Sequence, residues 1–545
     1  MVYYSTFPPI KEPQTGVIEF ILSNPNHAPD NKVLLVDILT GAKITYGQLK
    51  DRMLRFAAGL QDQCGFKKGD VLAVVAPNQI DYSIPVFGAL AAGGAVTPAN
   101  PNYNVTELSY QLQETNAKVL IAHEENIDNA LASAKNAGID PSNVFVFGDR
   151  SIKGVRPFST TLLGTRKAQI VKYTPEEAKE TVAYLCFSSG TTGRSKGVMT
   201  THANVTANVV QYTSVDNQFI DANVDRMIAV LPFFHIFALT SIIHVALYWG
   251  ITSYVMPRFD FVRFLETVQN EKITFACLVP PIILLLARHP LVLKYDLSSL
   301  RIVICGAAPL SAELGREVKA RLPNASIKQG YGLTETSPTA TIERTNCTID
   351  GSCGRLVANM MAKIVDEHGQ ELPPNQAGEL WLKGPNIMKG YINNPQATAD
   401  CIDADGYFHT GDVAVVDDDG NFYIVDRIKE LIKYKGFQVP PAELEAILLT
   451  CPLVNDAAVI GVYDHQQATE LPRACVVLKA NIPETEETAQ RVMKFVADQV
   501  VAYKQLRSVR FFKEIPKSPS GKILRRLLRD TADKEHTHTT TLARL

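Results

Sequence analysis

Residues 183–198 read AYLCFSSGTTGRSKGV: an apolar run that breaks into glycines and hydroxyls, with Arg194 and Lys196 beside them. The run AYLCF is short and apolar throughout, the pattern of a strand buried on both faces. The segment from Ser188 to Val198 suits either a tight turn or an anion. Glycines let backbone N–H groups approach, hydroxyls donate, and the cations balance charge. It does not have the P-loop spacing G-x-x-x-x-G-K-[ST], because Ser195 stands five residues after Gly190 and Gly197 follows Lys196. The expectation is a strand feeding a phosphate loop of another type.

On either side of this stretch, short branched runs alternate with helical patterns. VLAVVAPN, KVLIAH, VFVFG, RMIAVLP, ITFACLVP and RIVICG read as further buried strands, with FVRFLETVQNEK and SAELGREVKARLP as helices among them. This alternation predicts an α/β fold of parallel sheets covered by helices. After about residue 350 the texture changes, and AKIVDEHGQELPPNQAGELWLKGPNIMKGY suggests a small antiparallel β unit. GDVAVVDDDGNFYIVDR reads as a hairpin around Asp419-Gly420. Pro440 and Pro441 then open a helix, AELEAILL. A domain boundary is placed at 426–430. It is followed by a small α+β module with helix AQRVMKFVADQVV and strand SVRFFKEI.

Bulk properties agree with that division. The chain has 545 residues, and single cores stop growing at roughly 250–300 residues, so two or more domains are expected. Apolar residues make up 46% and charged residues 20%, the mix of a globular protein. A formal net charge of −2 gives no bulk electrostatic case for nucleic acid or an anionic membrane as partner. The nine cysteines form no C-x-x-C pair, and with an odd count they read as reduced thiols of an intracellular protein. MVYYSTFPPIKEP is not expected to be a secretory leader, lacking a basic segment followed by an apolar one. FFHIFALTSIIHVALYWGI carries His235 and His244 and is expected to be a buried helix rather than a membrane span.

Other segments reinforce an anion site. QGYGLTET, residues 329–336, follows an expected strand and brings Glu335 just past a turn. A single hard carboxylate near phosphate oxygens suits Mg²⁺, which takes few protein ligands. YFHTGD ends in Asp412, and DRIKELIKYKG carries Arg427. An aspartate is a natural acceptor for ribose hydroxyls, which an arginine can reinforce. PKSPSGKILRR places Lys522 after a Ser-Gly turn.

In order and content, SSGTTGRSKGV, LPFFHIFAL, CGAAPL, QGYGLTET, GELWLKGP, YFHTGD, DRIKELIKYKGFQVPPAELE and PKSPSGKILRR resemble the motifs of the acyl-adenylate-forming superfamily. YDLSSLR and IMKGYINNP bring the 4-coumarate–CoA ligase branch nearest. The resemblance implies a large N-terminal domain, residues 1–426, of two helix-covered sheets plus a small β-barrel-like unit. It further implies a hinge at 427–430, a small mobile α+β lid at 431–530 and a tail at 531–545. The activity implied is an ATP-dependent carboxylic acid–CoA ligase. The acid's carboxylate attacks the α-phosphorus of ATP and expels diphosphate; the thiol of coenzyme A then attacks the acyl–AMP.

The same resemblance assigns roles. Ser188, Ser189, Gly190, Thr191, Thr192, Gly193 and Lys196 surround the β- and γ-phosphates. Thr334 and Glu335 lie near the α-phosphate and Mg²⁺. Gly306, Ala307 and Ala308, with Gln329, Gly330, Tyr331 and Gly332, form the adenine side, Tyr331 stacking on the base. Asp412 and Arg427 clamp the ribose. Lys522 bridges carboxylate and α-phosphate during adenylation. The lid swings about Lys429 for the thiol step, presenting Lys433, Lys435, Gly436 and Phe437 to coenzyme A. His235 is a gate beside the adenylate.

The acyl pocket implied is His235, Phe237, Ser241, Ile304, Gly330, Pro338 and Thr339. Phe237 stands where plant hydroxycinnamate ligases usually carry tyrosine, and Thr339 where they carry a small aliphatic residue. The wall is then more apolar, and cinnamate-like or medium-chain fatty acids are expected over phenolic ones. The terminal Ala543-Arg544-Leu545 resembles a peroxisomal address, so a peroxisomal import receptor is an expected partner and the cytoplasm the alternative location. Two other readings stay open at this point: a luciferase-like monooxygenase sharing the adenylation step, and a non-catalytic acid-binding protein on the same fold.

Overall fold

The computed structural model describes residues 1–188, 195–435, 437–464, 467, 469–519 and 521–532. Two large sheets form its centre. The first has eight strands in the order Gly390–Tyr391, Lys196–Thr201, Val182–Ser188, Ala95–Ala99, Val71–Val75, Ala117–Ala122, Val144–Val146 and Arg156–Pro157. From Val182–Ser188 onward its neighbours are parallel. The second has nine, in the order Arg355–Leu356, Thr339–Ile342, Ser326–Gly332, Ile302–Cys305, Phe275–Leu278, Arg226–Ala229, Thr252–Val255, Val33–Asp37 and Lys43–Thr45. It is parallel in its middle and antiparallel at both edges. Every run quoted above as a strand overlaps one.

The period-two alternation of strands decides where the core sits. On Val71–Val75, the side chains of Val71, Ala73 and Val75 pack outward beneath the helices Val105–Glu114 and Ile127–Ala137, through Leu108, Leu112 and Ile127. Leu72 and Val74 face the other way and join one continuous core with Ile228, Phe275 and Val303 of the nine-stranded sheet. Both large sheets are therefore one body.

The greasy stretch is a buried helix in three parts: α over Ile236–Ala238, π over Leu239–His244 and α over Val245–Trp249, stopped by Gly250 at φ 69°. Among the described residues no helix is long and apolar enough to cross a membrane. The π turn has no signal in the apolar pattern. It arises inside the core, where His244 Nε2 meets the Tyr184 hydroxyl at 2.8 Å.

The small β unit is a five-stranded antiparallel sheet, in the order Val2–Tyr4, Met361–Val365, Gly378–Lys383, Phe408–Val416, Phe422–Arg427. Rings from its two edge strands, Tyr3 and Phe422, meet edge to face at 6.4 Å, so the sheet curls as a barrel does. The predicted hairpin is its last pair, with Gly420 at φ 80° in the turn.

The last strand of that sheet ends at Arg427, and a separate core begins at Ile432. This second body has a ribbon (Ile432–Tyr434 with Phe437–Val439), the helices Pro441–Thr450 and Glu486–Ala497, and a three-stranded sheet. Leu444, Leu448, Val459, Val476 and Val492 fill its interior.

Candidate active site

Parallel strands leave a crevice beyond their carboxyl ends, where backbone groups are free to meet a ligand. Here the ends of Ile302–Cys305 and Ser326–Gly332 lie side by side and bring Gly306–Ala308 against Gly330–Gly332. Ala307, at φ 68°, and Ser337, at φ 67°, hold the left-handed conformation that non-glycine residues adopt at a cost of about 1–2 kcal/mol. Both stand on the loops that rim this crevice. Gln329 ties the rim together: its Oε1 accepts the N–H of Leu310 at 2.9 Å, and its own N–H donates to Glu343 Oε2 at 2.7 Å. Gly332 has to be glycine, since a Cβ there would collide with the Pro338 carbonyl oxygen.

One wall is the hairpin of the five-stranded sheet. Asp412 and Arg427 are cross-strand partners, and Arg427 Nε lies 3.1 Å from Asp412 Oδ1. The Tyr331 hydroxyl donates to Asp412 Oδ2 at 2.7 Å. Asp412 is buried with both oxygens engaged, a fixed acceptor rather than a mobile surface acid.

A second wall comes from the antiparallel pair that flanks the glycine-rich segment. Ser188 and Lys196 are cross-strand partners in that pair. Ser189, Gly190, Thr191, Thr192 and Gly193 lie outside the described residues. Lys196 Nζ stands 4.7 Å above the ring of Tyr391, whose hydroxyl donates to Glu335 Oε1 at 2.9 Å. Glu335 is buried beside Thr334 in the turn Thr334–Thr336. Its Oε2 carries no hydrogen bond among the described residues, and its charge reaches Arg427. The described residues contain no group of three or more metal-ligating side chains. One buried carboxylate with an open oxygen fits Mg²⁺ arriving on phosphates, where one or two protein carboxylates suffice.

The third wall belongs to the other domain. Lys522 follows a turn in which Gly521, at φ 82°, faces Val279 and Pro281 of the large domain; a Cβ at Gly521 would lie 3.2 Å from Val279 Cβ. Burial, then the guanidinium of Arg427, bring the Lys522 ammonium down to about 8, against the pull of Asp412 and Glu430. Burial, then Lys522, lower His235 to about 4, so its imidazole is neutral at pH 7. His235 Nδ1 accepts the N–H of Phe237 at 3.2 Å. Thus a lysine 95 residues beyond Arg427 in sequence sits among the residues of the crevice.

The model for AMP-binding enzymes matches residues 23–392, and the model for the C-terminal domain of AMP-binding enzymes matches residues 443–522. This chain belongs to the AMP-binding enzyme family. The 4-coumarate–CoA ligase 1 of Petroselinum crispum is 41% identical over 510 residues, 92% of this chain and 91% of that protein. The 4-coumarate–CoA ligase of Pinus taeda is 40% identical over 505 residues, 91% of each. ATP-bound MatB from Rhodopseudomonas palustris superposes with a TM-score of 0.84 at 28% identity, covering 94% of this chain and 98% of that one.

In this AMP-binding enzyme the expected acyl wall is contiguous with the crevice. Phe237 lies over Gly306, where a Cβ would approach its ring atoms to 3.1 Å. Ile304, Ser241 and Thr339 are buried, and Thr240 Oγ1, next to Ser241, donates to the Ser337 carbonyl at 3.2 Å, beside Pro338. Thr339 is held at both ends by Asn208: its N–H donates to Asn208 Oδ1 at 3.1 Å, and its carbonyl accepts from Asn208 Nδ2 at 2.8 Å.

The expected thiol-step residues stand elsewhere. Lys433 N–H donates to Glu470 Oε2 and Lys435 N–H to Thr469 Oγ1, both at 2.7 Å. Phe437 stacks on Tyr503, with ring centroids 4.5 Å apart. These partners all belong to the small domain, so this conformation brings Lys522 to the crevice and not the ribbon. Gly436 lies outside the described residues. Lys429 is exposed between the two bodies.

Sequence reasoning did not single out Tyr391, Asp426 or Glu343. Tyr391 sits within IMKGYINNP, a stretch that carries a family resemblance but no chemistry of its own. Asp426 directly precedes Arg427 in the hairpin strand. Glu343, pushed up to about 7 by burial, accepts from Gln329 and from the N–H of Ile349. Nothing in its local sequence distinguishes it from a surface acid.

Proposed function

We propose that this chain joins an arylpropenoic, cinnamate-class acid to coenzyme A. It is an ATP-dependent acid–CoA ligase that works through an acyl adenylate, using ATP, Mg²⁺ and coenzyme A. The observation that carries the reading is that the Gly521 turn of the small domain seats on Val279 and Pro281, bringing Lys522 beside the Asp412–Arg427 pair of the large one.

The chemistry follows from charge. A carboxylate must approach the α-phosphate of ATP, another anion, so fixed cations and donors are needed where charge builds up. Lys522 supplies a compact ammonium, Arg427 a guanidinium pinned by Asp412, and Lys196 a cation beside the glycine-rich loop. Asp412 receives the ribose hydroxyls, and the face of Tyr331 the adenine. Glu335 would hold Mg²⁺, which neutralises the departing diphosphate. The Gly521 turn seated on Val279 closes the crevice, keeping water from a hydrolysable adenylate. For the thiol step the ribbon of Lys433, Lys435, Gly436 and Phe437 would replace Lys522, the small domain pivoting about Lys429. His235, neutral at physiological pH, would serve as a gate rather than a charge.

For the acid, the similarity to 4-coumarate–CoA ligases favours an arylpropenoic skeleton, while Phe237 in place of a phenol leaves an apolar wall above Gly306. Cinnamate is therefore proposed ahead of its ring-hydroxylated forms, and medium-chain fatty acids after both. A diphosphate-release screen over cinnamic, benzoic and C6–C18 aliphatic acids, with and without coenzyme A, tests this. Release with none of them would remove the reading. A luciferase-like oxygenation would show as light from luciferin, ATP and air.

For location, Ala543-Arg544-Leu545, outside the described residues, is proposed as an address read by a peroxisomal import receptor. Deleting those three residues should leave ligase activity intact and move the protein to the cytosol; unchanged location would make the ending coincidental.

A further inference from the structure

We infer that Tyr391 is a positioning residue that sets two charges of the adenylation site at once: the Glu335 carboxylate through its hydroxyl and the Lys196 ammonium through its ring. The inference rests on the ligase reading above and adds to it a residue with no assigned role.

The geometry is specific. Tyr391 belongs to a two-residue strand at the edge of the eight-stranded sheet, in register with Val198, two residues beyond Lys196. Its backbone is held from the other side as well, its N–H donating to Thr398 Oγ1 at 2.9 Å. Ile392 N–H donates to the Gly197 carbonyl at 2.9 Å, so the Tyr391 backbone moves with the strand that follows the glycine-rich loop. From that anchor the side chain reaches Glu335, which lies 56 residues earlier and on the other sheet's crevice. The hydroxyl donates to the carboxylate at 2.9 Å. The ring lies 4.7 Å beneath the Lys196 ammonium, within the range of a cation–π contact.

The physical consequence is order in two mobile groups. A buried carboxylate denied a donor turns toward the nearest positive charge, and here Arg427 is close enough to feel Glu335. An Arg427–Glu335 pairing would take Arg427 from Asp412 and withdraw the carboxylate from a cation on the phosphates. The Tyr391 hydroxyl prevents this by occupying Oε1 and leaving Oε2 open. The ring likewise gives the long Lys196 side chain one resting place beside the phosphate loop.

Two variants separate the two contacts. Tyr391→Phe keeps the ring under Lys196 and removes only the hydroxyl; Tyr391→Leu removes both. ATP binding is measured by calorimetry at stepped Mg²⁺ concentrations without acid, alongside diphosphate exchange and thiolation of supplied acyl–AMP. Tyr391→Phe should raise the Mg²⁺ concentration for half-saturation roughly ten- to hundredfold, as loss of a partner behind a metal ligand does. Its ATP affinity without Mg²⁺ and its thiolation should match wild type. Tyr391→Leu should also weaken ATP binding without Mg²⁺. An unchanged Mg²⁺ dependence in Tyr391→Phe overturns the inference. So does an equal loss of both half-reactions, which would make Tyr391 only a support of the fold. Wild-type protein that binds no ATP overturns the ligase reading instead.

Discussion

Asp426 caps a helix of the other domain: its Oδ2 accepts the N–H of Ala442 at 2.9 Å, while its Oδ1 accepts the N–H of Arg427 at 2.7 Å. The helix Pro441–Thr450 begins after Pro440, which offers no side-chain acceptor, so its first-turn donors depend on outside groups. Asp426 is next to last in the large domain's last hairpin strand, and Ala442 lies in the first turn of the small domain's first helix. The bond therefore favours the orientation in which Lys522 reaches the crevice. Asp426→Ala should lower the adenylation rate about 2- to 30-fold, from a cap worth about 0.5–2 kcal/mol. Thiolation of supplied acyl–AMP should be spared. Equal losses in the two half-reactions would refute a role in orientation.

Lys522→Ala should abolish acyl–AMP formation while thiolation of supplied acyl–AMP largely survives. On the proposed reading the ammonium serves adenylation alone, and the ribbon assigned to the thiol step is built from other residues. Diphosphate exchange measured beside thioester formation decides it; parallel loss in both assays would contradict the division of labour.

The pH dependence follows from the same lysine. Burial beside Arg427 lowers it to about 8, so the group is charged below that pH and neutral above it. On the proposed reading adenylation uses the charged form. The kcat/KM for ATP, which reports the free enzyme, should fall as pH rises through about 8. Lys522→Arg, whose charge persists, should lose that limb. His235, at about 4, should contribute no limb between pH 5 and 8. A flat profile from pH 7 to 10 in wild type would exclude Lys522 as the titrating cation.

Gly332→Ala should be severe despite adding one methyl. Its Cβ would have to displace the Pro338 carbonyl, which also accepts the Thr336 hydroxyl, so the whole 332–339 turn must move. ATP affinity should drop at least tenfold by calorimetry, while melting changes by only a few degrees. Wild-type affinity would show that the turn does not shape the nucleotide site.

Much of this arrangement was legible in residue order. VLAVVAPN, RIVICG and their like are buried on both faces, which leaves few options besides strands, and the helical runs between them dictate parallel sheets. The hairpin around Gly420 and the helix after Pro440 announce themselves through turn and proline chemistry. Phe237, Ser241 and Thr339 are expected near the site only through the family resemblance.

Other features had no local signature. Val2–Tyr4 became an edge of a sheet built from residues 361–427, a pairing that depends on which edge was left unpaired. The buried pair Lys328–Asp216, both fully inaccessible, looks in sequence like two surface charges. Tyr391 and Asp426 matter through partners 56 and 16 residues away.

The order of residues alone determined the strand–helix rhythm, the glycine-rich segment and the positions of the chemistry-bearing side chains, because backbone preference and burial periodicity act over a few neighbours. Only the tertiary structure decided that Lys522 meets Arg427 and Asp412, that Glu335 rests on Tyr391, and that the Lys433–Phe437 ribbon stays apart. The first and last depend on how two separately cored bodies are oriented, and the second on how the two large sheets pack within one body. That orientation is set by contacts such as Asp426 with Ala442 and Gly521 with Val279, between residues that no local pattern joins.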